Sequence, residues 1–336
     1  MSIDTDLNIS PYYDDYDENK DFHRVLFRPA VPLQARELTQ LQSILQQQIE
    51  RFGQFQFKEG TIIKGCTFTF DATVKYAKLF DKTSTGTDVN VSLFDTNDYI
   101  RTSANLVAQI IDTRGGLESQ NPFLNTLFFK YINTGTAQTT SYANGDVLEI
   151  YPNATAIANV TVTSEGAGYS NSDTVSFSSD LKGVGAAANV VTYASNGSIK
   201  ELTITANGAG YSIADYPEVS VASGNASASG FAGTVGLIKT ANVTVANTGF
   251  GTGIGAGNTQ FHPVGSAYQM KVEDGIIFQK GNFQRFAAQD IIVSPYTRRP
   301  HEVSVGVVTT EAVVNSSIDT TLLDNASGYS NENAPG

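Results

Sequence analysis

Apolar residues recur with two different periods along this chain, and the change from one to the other falls near residue 54. In LQARELTQLQSILQQQIERF (33–52), Leu38, Leu41, Leu45, Gln48 and Phe52 follow alternating steps of three and four, which predicts one long amphipathic helix. Ile44 and Ile49 widen the apolar stripe, and Glu37, Glu50 and Arg51 flank it. Pro32 marks where the helix can begin, and Gly53 is expected to end it as a left-handed terminal residue. Two heptads are too few to hold a bundle together alone. Two readings of the stripe therefore stand side by side: a seam that clusters copies of the chain, and a face packed on its own domain.

Residues 1–32, ahead of the helix, show no period. Tyr12, Tyr13, Tyr16, Phe22 and Phe27 are scattered among Asp and Pro, so the segment reads as an extended arm, docked either on a partner surface or on its own subunit. From Phe55 onward the period becomes two, in FQFKEGTIIKGCTFTFDATVKYAKLF and then through VNVSLFDTNDYIRTSANLVAQIIDTRGG, NTLFFKYINTG and DVLEIY, which predicts strands separated by Gly-rich and Asn-rich turns. The expected fold class is mainly β: an N-terminal extended arm and one long α-helix, followed by several small β-domains, one with internal repeats.

That repeat lies in an almost charge-free stretch. NVTVTSEGAGYS (159–170) matches ELTITANGAGYS (201–212) at a spacing of 42 residues, and NVTVANTGFG (242–251) is a degraded third copy. Each copy reads as a strand ending in a glycine-bounded turn, in which Gly166, Gly168 and Tyr169, or Gly208, Gly210 and Tyr211, set flexible backbone beside an aromatic cap. Aromatic rings beside glycine can also bind sugars, which makes Tyr169 and Tyr211 candidate ligand contacts. After the repeat, strand signals return in AYQMKVEDGIIFQKGNFQRFAAQDIIVSPY, with a hairpin expected at Glu273, Asp274 and Gly275, and in HEVSVGVVTTEAVV. The expected division is 1–54 arm and helix, 55–152 β-domain, 153–258 glycine-rich β-repeat insert, 259–318 β-domain and 319–336 linker-like tail.

Composition narrows the function classes. Charged residues make up 16% of the 336-residue chain and the formal net charge is −12, with Lys and Arg dispersed, so no phosphate-binding footprint is present and nucleic acid is not expected as a partner. The acidic start lacks the basic and apolar parts of a secretory signal, and no apolar run approaches the roughly 20 residues of a membrane span. The expectation is a soluble protein made in the cytoplasm, without membrane insertion. Cys66 has no second cysteine to pair with. His23, His262 and His301 are isolated, so no zinc site of familiar spacing is expected. Nucleophile and nucleotide motifs are missing, and GTGIGAG (251–257) lacks the helix a dinucleotide fingerprint needs. Of the carboxylate clusters, Asp14, Asp15, Asp17 and Glu18 sit in the arm and Glu273 with Asp274 in a turn; both read as solvated charge. Asn171–Asp173 and Asp319–Asn325 could meet calcium, but neither follows the twelve-residue loop pattern. No catalytic residue, metal or cofactor is expected, and the chain is not expected to be an enzyme.

The segment PYYDDYDENKDFHRVLFRPAVPLQARELTQLQSILQQQIERFGQFQFKEGTIIKG (11–65) resembles the opening of a family of tailed-phage virion proteins, common in contractile-tailed phages including those of cyanobacteria. GIIFQKGNFQRFAAQDIIVSPY, the stretch from Arg299 to Gly306, and DTTLLDNASGYSNENAPG resemble later motifs of the same family, so that about half the chain is covered. The resemblance implies a virion structural protein of the tail baseplate or tail fibre, homo-oligomeric and most simply trimeric, in contact with other baseplate or tail proteins. The assembly interface would comprise Tyr12, Tyr13, Phe22, Phe27, Leu38, Leu41, Leu45, Gln48, Ile49 and Phe52. The alternative is a receptor-binding module that recognises host-surface glycan through the repeat. Members of this family often continue past the NAPG motif, which points to a chain extending beyond Gly336.

Overall fold

A computed structural model describes residues 6–116, 124–136, 139–179, 183–246, 262–296, 302–325, 327–328, 330 and 332–334. The protein is mainly β, with one long helix, α1 (Ala35–Gln56), near its start. The strands that follow are β1 (Thr61–Gly65), β2 (Phe68–Asp71), β3 (Lys75–Lys78), β4 (Tyr99–Arg101), β5 (Val107–Arg114), β6 (Thr126–Tyr131) and β7 (Val147–Tyr151). The repeat supplies β8 (Ile157–Ala167), β9 (Thr174–Ser178), β10 (Val184–Thr192), β11 (Ile199–Ala209), β12 (Glu218–Ala222) and β13 (Ser229–Leu237). After it come β14 (Ala241–Thr244), β15 (Val264–Ser266), β16 (Tyr268–Val272), β17 (Gly275–Gln279), β18 (Asn282–Phe286) and β19 (Gln289–Ser294). Two compact units share these elements. The first takes the described residues of 1–69, 271–291 and 302–336, and the second those of 70–270 and 292–301. Strands β2, β16 and β19 each carry the chain from one unit to the other.

The second unit is built on an antiparallel sheet in the order β14-β7-β4-β5-β6-β3-β15. Past the ends of β3 and β14 the sheet curls back on itself: Leu79 bridges Val245, the Phe80 N–H donates to the Thr244 carbonyl at 3.0 Å, and the Ala246 N–H donates to the Lys78 carbonyl at 2.8 Å. Period-two alternation decides what faces inward. Ile100, Ala108, Ile110, Leu127, Phe129, Leu148, Ile150 and Val243 fill the interior, while Arg101 and Glu149, directly opposite each other on β4 and β7, face out and pair.

The repeat is inserted between β7 and β14, which pair with each other in register from Ala241↔Ile150 to Thr244↔Val147, so its two ends leave from neighbouring strands. The matched segments are, as expected, strands that end in glycine turns, β8 at Ala167 and β11 at Ala209; the unit that repeats around each is three strands, and the copies are intertwined. β8 of the first pairs with β13 of the second, β10 with β11, and β9 with β12. The two long ladders match pair for pair, Val184↔Ala209 against Ser229↔Ala167 and Thr192↔Ile199 against Leu237↔Ile157, with irregularities at corresponding places. In the third ladder Ser176 faces Ser220, its own counterpart, which marks an internal pseudo-twofold axis. The degraded third copy does not join them: Ala241–Thr244 is strand β14 of the large sheet, and the remainder of NVTVANTGFG, from residue 247, lies outside the described residues, as do GTGIGAG, Arg299 and His301.

In the first unit a three-stranded sheet runs β1-β17-β18. The expected hairpin at Glu273–Gly275 does not form, because β17 pairs with β1 and β18; the hairpin falls one strand later, at Lys280 and Gly281. Both residues have positive φ (50° and 71°), the geometry that lets a two-residue turn follow the strand twist. Helix α1 does not stop at Gly53 either. It continues to Gln56, and Gly53 is a point of close approach, where an added Cβ would lie 2.2 Å from the Phe278 ring. Phe57 then packs on Phe278, tilted, and on Phe283, edge-on, with ring centroids 5.9 and 5.7 Å away. The helix starts at Ala35, with the Gln34 N–H donating to the Glu37 carboxylate at 2.9 Å. HEVSVGVVTTEAVV, expected as a strand, forms none over 302–314.

Candidate functional site

The arm and helix come together in a way that separates polar from apolar contacts. Arg36, Gln40, Ser43, Gln47 and Arg51 lie along one side of α1 at steps of three and four, and all five bond to acids of the arm. Arg36 and Gln40 meet Asp15, Ser43 meets Asp14, and Gln47 and Arg51 meet Glu18 at 3.1 and 2.8 Å. Asp14, Asp15 and Glu18 therefore pair with the chain's own helix, a partner the spacing did not suggest, while Glu18 stays exposed and Asp14 and Asp15 partly so. The Asp17 carboxylate caps the short turn that follows by accepting from the Asn19 N–H at 3.0 Å.

The other side of the helix is bare. Leu38, Leu41, Leu45, Ile49 and Phe52 are between 41% and 62% exposed, and Gln48 is exposed among them. Of the apolar stripe only Ile44 is buried. Tyr12, Tyr13, Phe22 and Phe27 of the arm are exposed as well, so every residue expected at the assembly interface lies open to solvent. Phe55 (89%), Leu26 and Leu33 belong to the same open set and were not anticipated; their apolar character in a helix-end or arm context was the available signal. Among the described residues, the buried apolar side chains of this unit are Ile44, Cys66, Val272, Ile277 and Phe278.

The two repeat tyrosines share a local role and differ in surroundings. Gly166 (φ 59°) and Gly208 (φ 65°) occupy equivalent left-handed positions beneath the rings of Tyr169 and Tyr211. A Cβ on Gly208 would lie 2.6 Å from both the Ala186 nitrogen and the Val184 carbonyl, so only glycine fits. Tyr211 packs in a cluster with Ile157, Ile213, Val235 and Leu237 that also takes in Val107 and Tyr151 of the large sheet, leaving it 1% exposed. Tyr169 sits in the matching cluster of Val190, Ile199 and Leu202, which has no such cover, and is half-buried. Both rings serve as caps over glycine turns. Tyr211 presents no face to a ligand.

Displaced pKa values, which can mark active sites, here belong to packing and ion pairs. Burial would raise the Glu149 carboxyl, but hydrogen bonds from Arg101, Lys239 and Tyr151 outweigh it and hold it at about 2. Asp71 is treated the same way: burial opposes ionisation, while Lys130 and Thr73 keep its pKa at about 2. Burial pushes Lys78 down to about 8, and its ammonium lies 4.2 Å over the Tyr296 ring. His23 and His262 are exposed. Asn171 is occupied by the Thr192 N–H and hydroxyl, and Asp173 by Ser170. Among the described residues no group of three or more His, Cys, Asp or Glu is placed to hold a metal ion, and no helix is long and apolar enough to cross a membrane.

These features define a mainly β chain that carries, at its N-terminus, an arm clasped to one polar side of an apolar-faced helix. A family model described as a domain of unknown function (DUF4815) matches residues 10–82, about a fifth of the chain. The matched stretch takes in the acidic clasp, all of α1 and the strands β1 to β3. No curated protein and no solved structure matches this chain.

Proposed function

We propose that this protein is a structural component of a tailed-phage virion, of the baseplate or tail-fibre type, which works by assembling with copies of itself and with neighbouring tail proteins instead of by catalysis. The observation that carries the self-assembly part is the apolar stripe of α1, left uncovered in a unit with few buried apolar side chains. Burying one large apolar side chain is worth about 1.5–3 kcal/mol. The five apolar side chains of the stripe are already about half covered, so burying the rest gives on the order of 5 kcal/mol, at the low end of the roughly 4–15 kcal/mol that association costs. The stripe alone is therefore marginal, and the arm aromatics are the additional surface that would make the contact stable. The virion assignment is supported by the resemblance of residues 11–65 and of the later motifs to phage tail proteins. In this reading the inserted repeat is a rigid spacer, and its tyrosines cap turns instead of binding host glycan.

The test is electron microscopy of purified tailed particles labelled with antibody to this chain. Label at the tail or baseplate is the expected result; particles that assemble fully with the chain absent would overturn the assignment.

A further inference from the structure

Residues 302–314, EVSVGVVTTEAVV, have the composition of a strand and lack a strand's partner. Val303, Val305 and Val307 repeat at period two and are exposed, as are Val308, Val313 and Val314. Among the described residues, no backbone-to-backbone hydrogen bond is made anywhere from 302 to 314. Side-chain bonds tether the segment: Gln279 Nε2 donates to the Val307 carbonyl at 3.1 Å, and the Thr309 hydroxyl lies 3.0 Å from Gln279 Oε1 and 2.7 Å from Gln284 Oε1. Those two glutamines belong to β17 and β18. The sheet order β1-β17-β18 leaves the outer side of β18 without a strand neighbour among the described residues.

We infer that this segment is a donor strand that adds to the open edge of β18 in a second copy of the chain. An exposed, extended β-branched chain whose amides are left to water can pair them as a whole along a sheet edge. The charges fit as well. The segment carries Glu302 and Glu311 and no base, while the β17–β18 hairpin (275–286) carries Lys280 and Arg285 and no acid. Donor and acceptor occur on the same chain, in the same unit as the open face of α1, so one symmetry operation can use all of these surfaces. The inference rests on the self-assembly reading above and goes beyond it by naming a ladder between main chains.

Amide hydrogen exchange of the full chain, followed across a dilution series alongside sedimentation, tests it. The expected result is protection of 302–314 in the oligomer by at least about tenfold over the monomer. Val305→Pro, which deletes an amide donor at an exposed position, should remove that protection and weaken association. An oligomer in which 302–314 exchanges as open chain would overturn the inference and leave self-assembly standing. Equal protection in the dilute monomer would overturn it by showing that the chain's own edge is the partner. A chain that stays monomeric throughout would overturn both.

Discussion

The two units spend their apolar residues in opposite ways. In the second, strand alternation turns Ile100, Leu127, Phe129, Leu148 and Ile150 into a closed interior, and even the outward charges pair, Arg101 with Glu149 and Lys130 with Asp71. In the first, polar and acidic groups are matched within the chain along one side of α1, while its leucines and phenylalanines and the valines of 302–314 stay open. The contrast teaches that exposure here is patterned: stripes at helical and strand spacing, not scattered single residues. A unit that pairs the polar side of its helix and leaves its apolar stripes bare is what the proposed assembly calls for.

Substitution should cost most in the sealed interior. Phe129→Ala should cost the second unit about 3–5 kcal/mol, read as a large fall in its melting temperature. Leu45→Ala, on an open face, should change the stability of the monomer by no more than about 0.5 kcal/mol. Equal losses would erase the distinction.

Acid offers a second handle. The folded pKa of Glu149, at about 2, lies below the ordinary 4.5, so its contribution is complete above about pH 4.5 and is lost as the pH falls toward 2. The side chain is only about a quarter exposed, and with allowance for screening the effect should reach about 1–3 kcal/mol. Denaturant titrations of the chain and of Glu149→Gln, at pH 5 and pH 3, should show the wild type losing more than the variant; parallel losses would assign the acid sensitivity elsewhere.

Within the repeat, Gly208→Ala should destabilise by about 1–3 kcal/mol, because a left-handed residue would then press its Cβ on two backbone atoms. Gly60→Ala, also left-handed but facing open space, should cost less, about 1 kcal/mol. Thermal melts of the two variants decide the order. Within the repeat the smallest effect belongs to Tyr169→Phe, which removes a long 3.4 Å bond from the Phe231 N–H and should shift stability by about 0.5 kcal/mol.

Local periodicity made much of this legible. The stripe of α1, the strand pattern that takes hold at Thr61, six residues later than Phe55 where alternation begins, and the 42-residue repeat all follow from spacing within one segment. Pairing over long distances was not legible in the same way. That Thr61 lies opposite Phe278, or that β8 pairs with β13 instead of a sequential neighbour, depends on contacts that no short window contains. Gly53 misled because a glycine wanted for closeness to Phe278 looks the same in sequence as one that ends a helix. The acids of the arm misled for a related reason: their partners, Arg36 to Arg51, begin some 20 residues further on. The difference between Tyr169 and Tyr211 was invisible, since the copies match in sequence and only one is covered by the large sheet.

Sedimentation equilibrium of the full chain beside Leu41→Asp/Leu45→Asp is the most direct test that the open stripe of α1 is completed by other copies. The expected result is a discrete oligomer for the native chain and a folded monomer for the variant, with the melting of the second unit unchanged. A native chain that remains monomeric at every concentration while fully folded would contradict it.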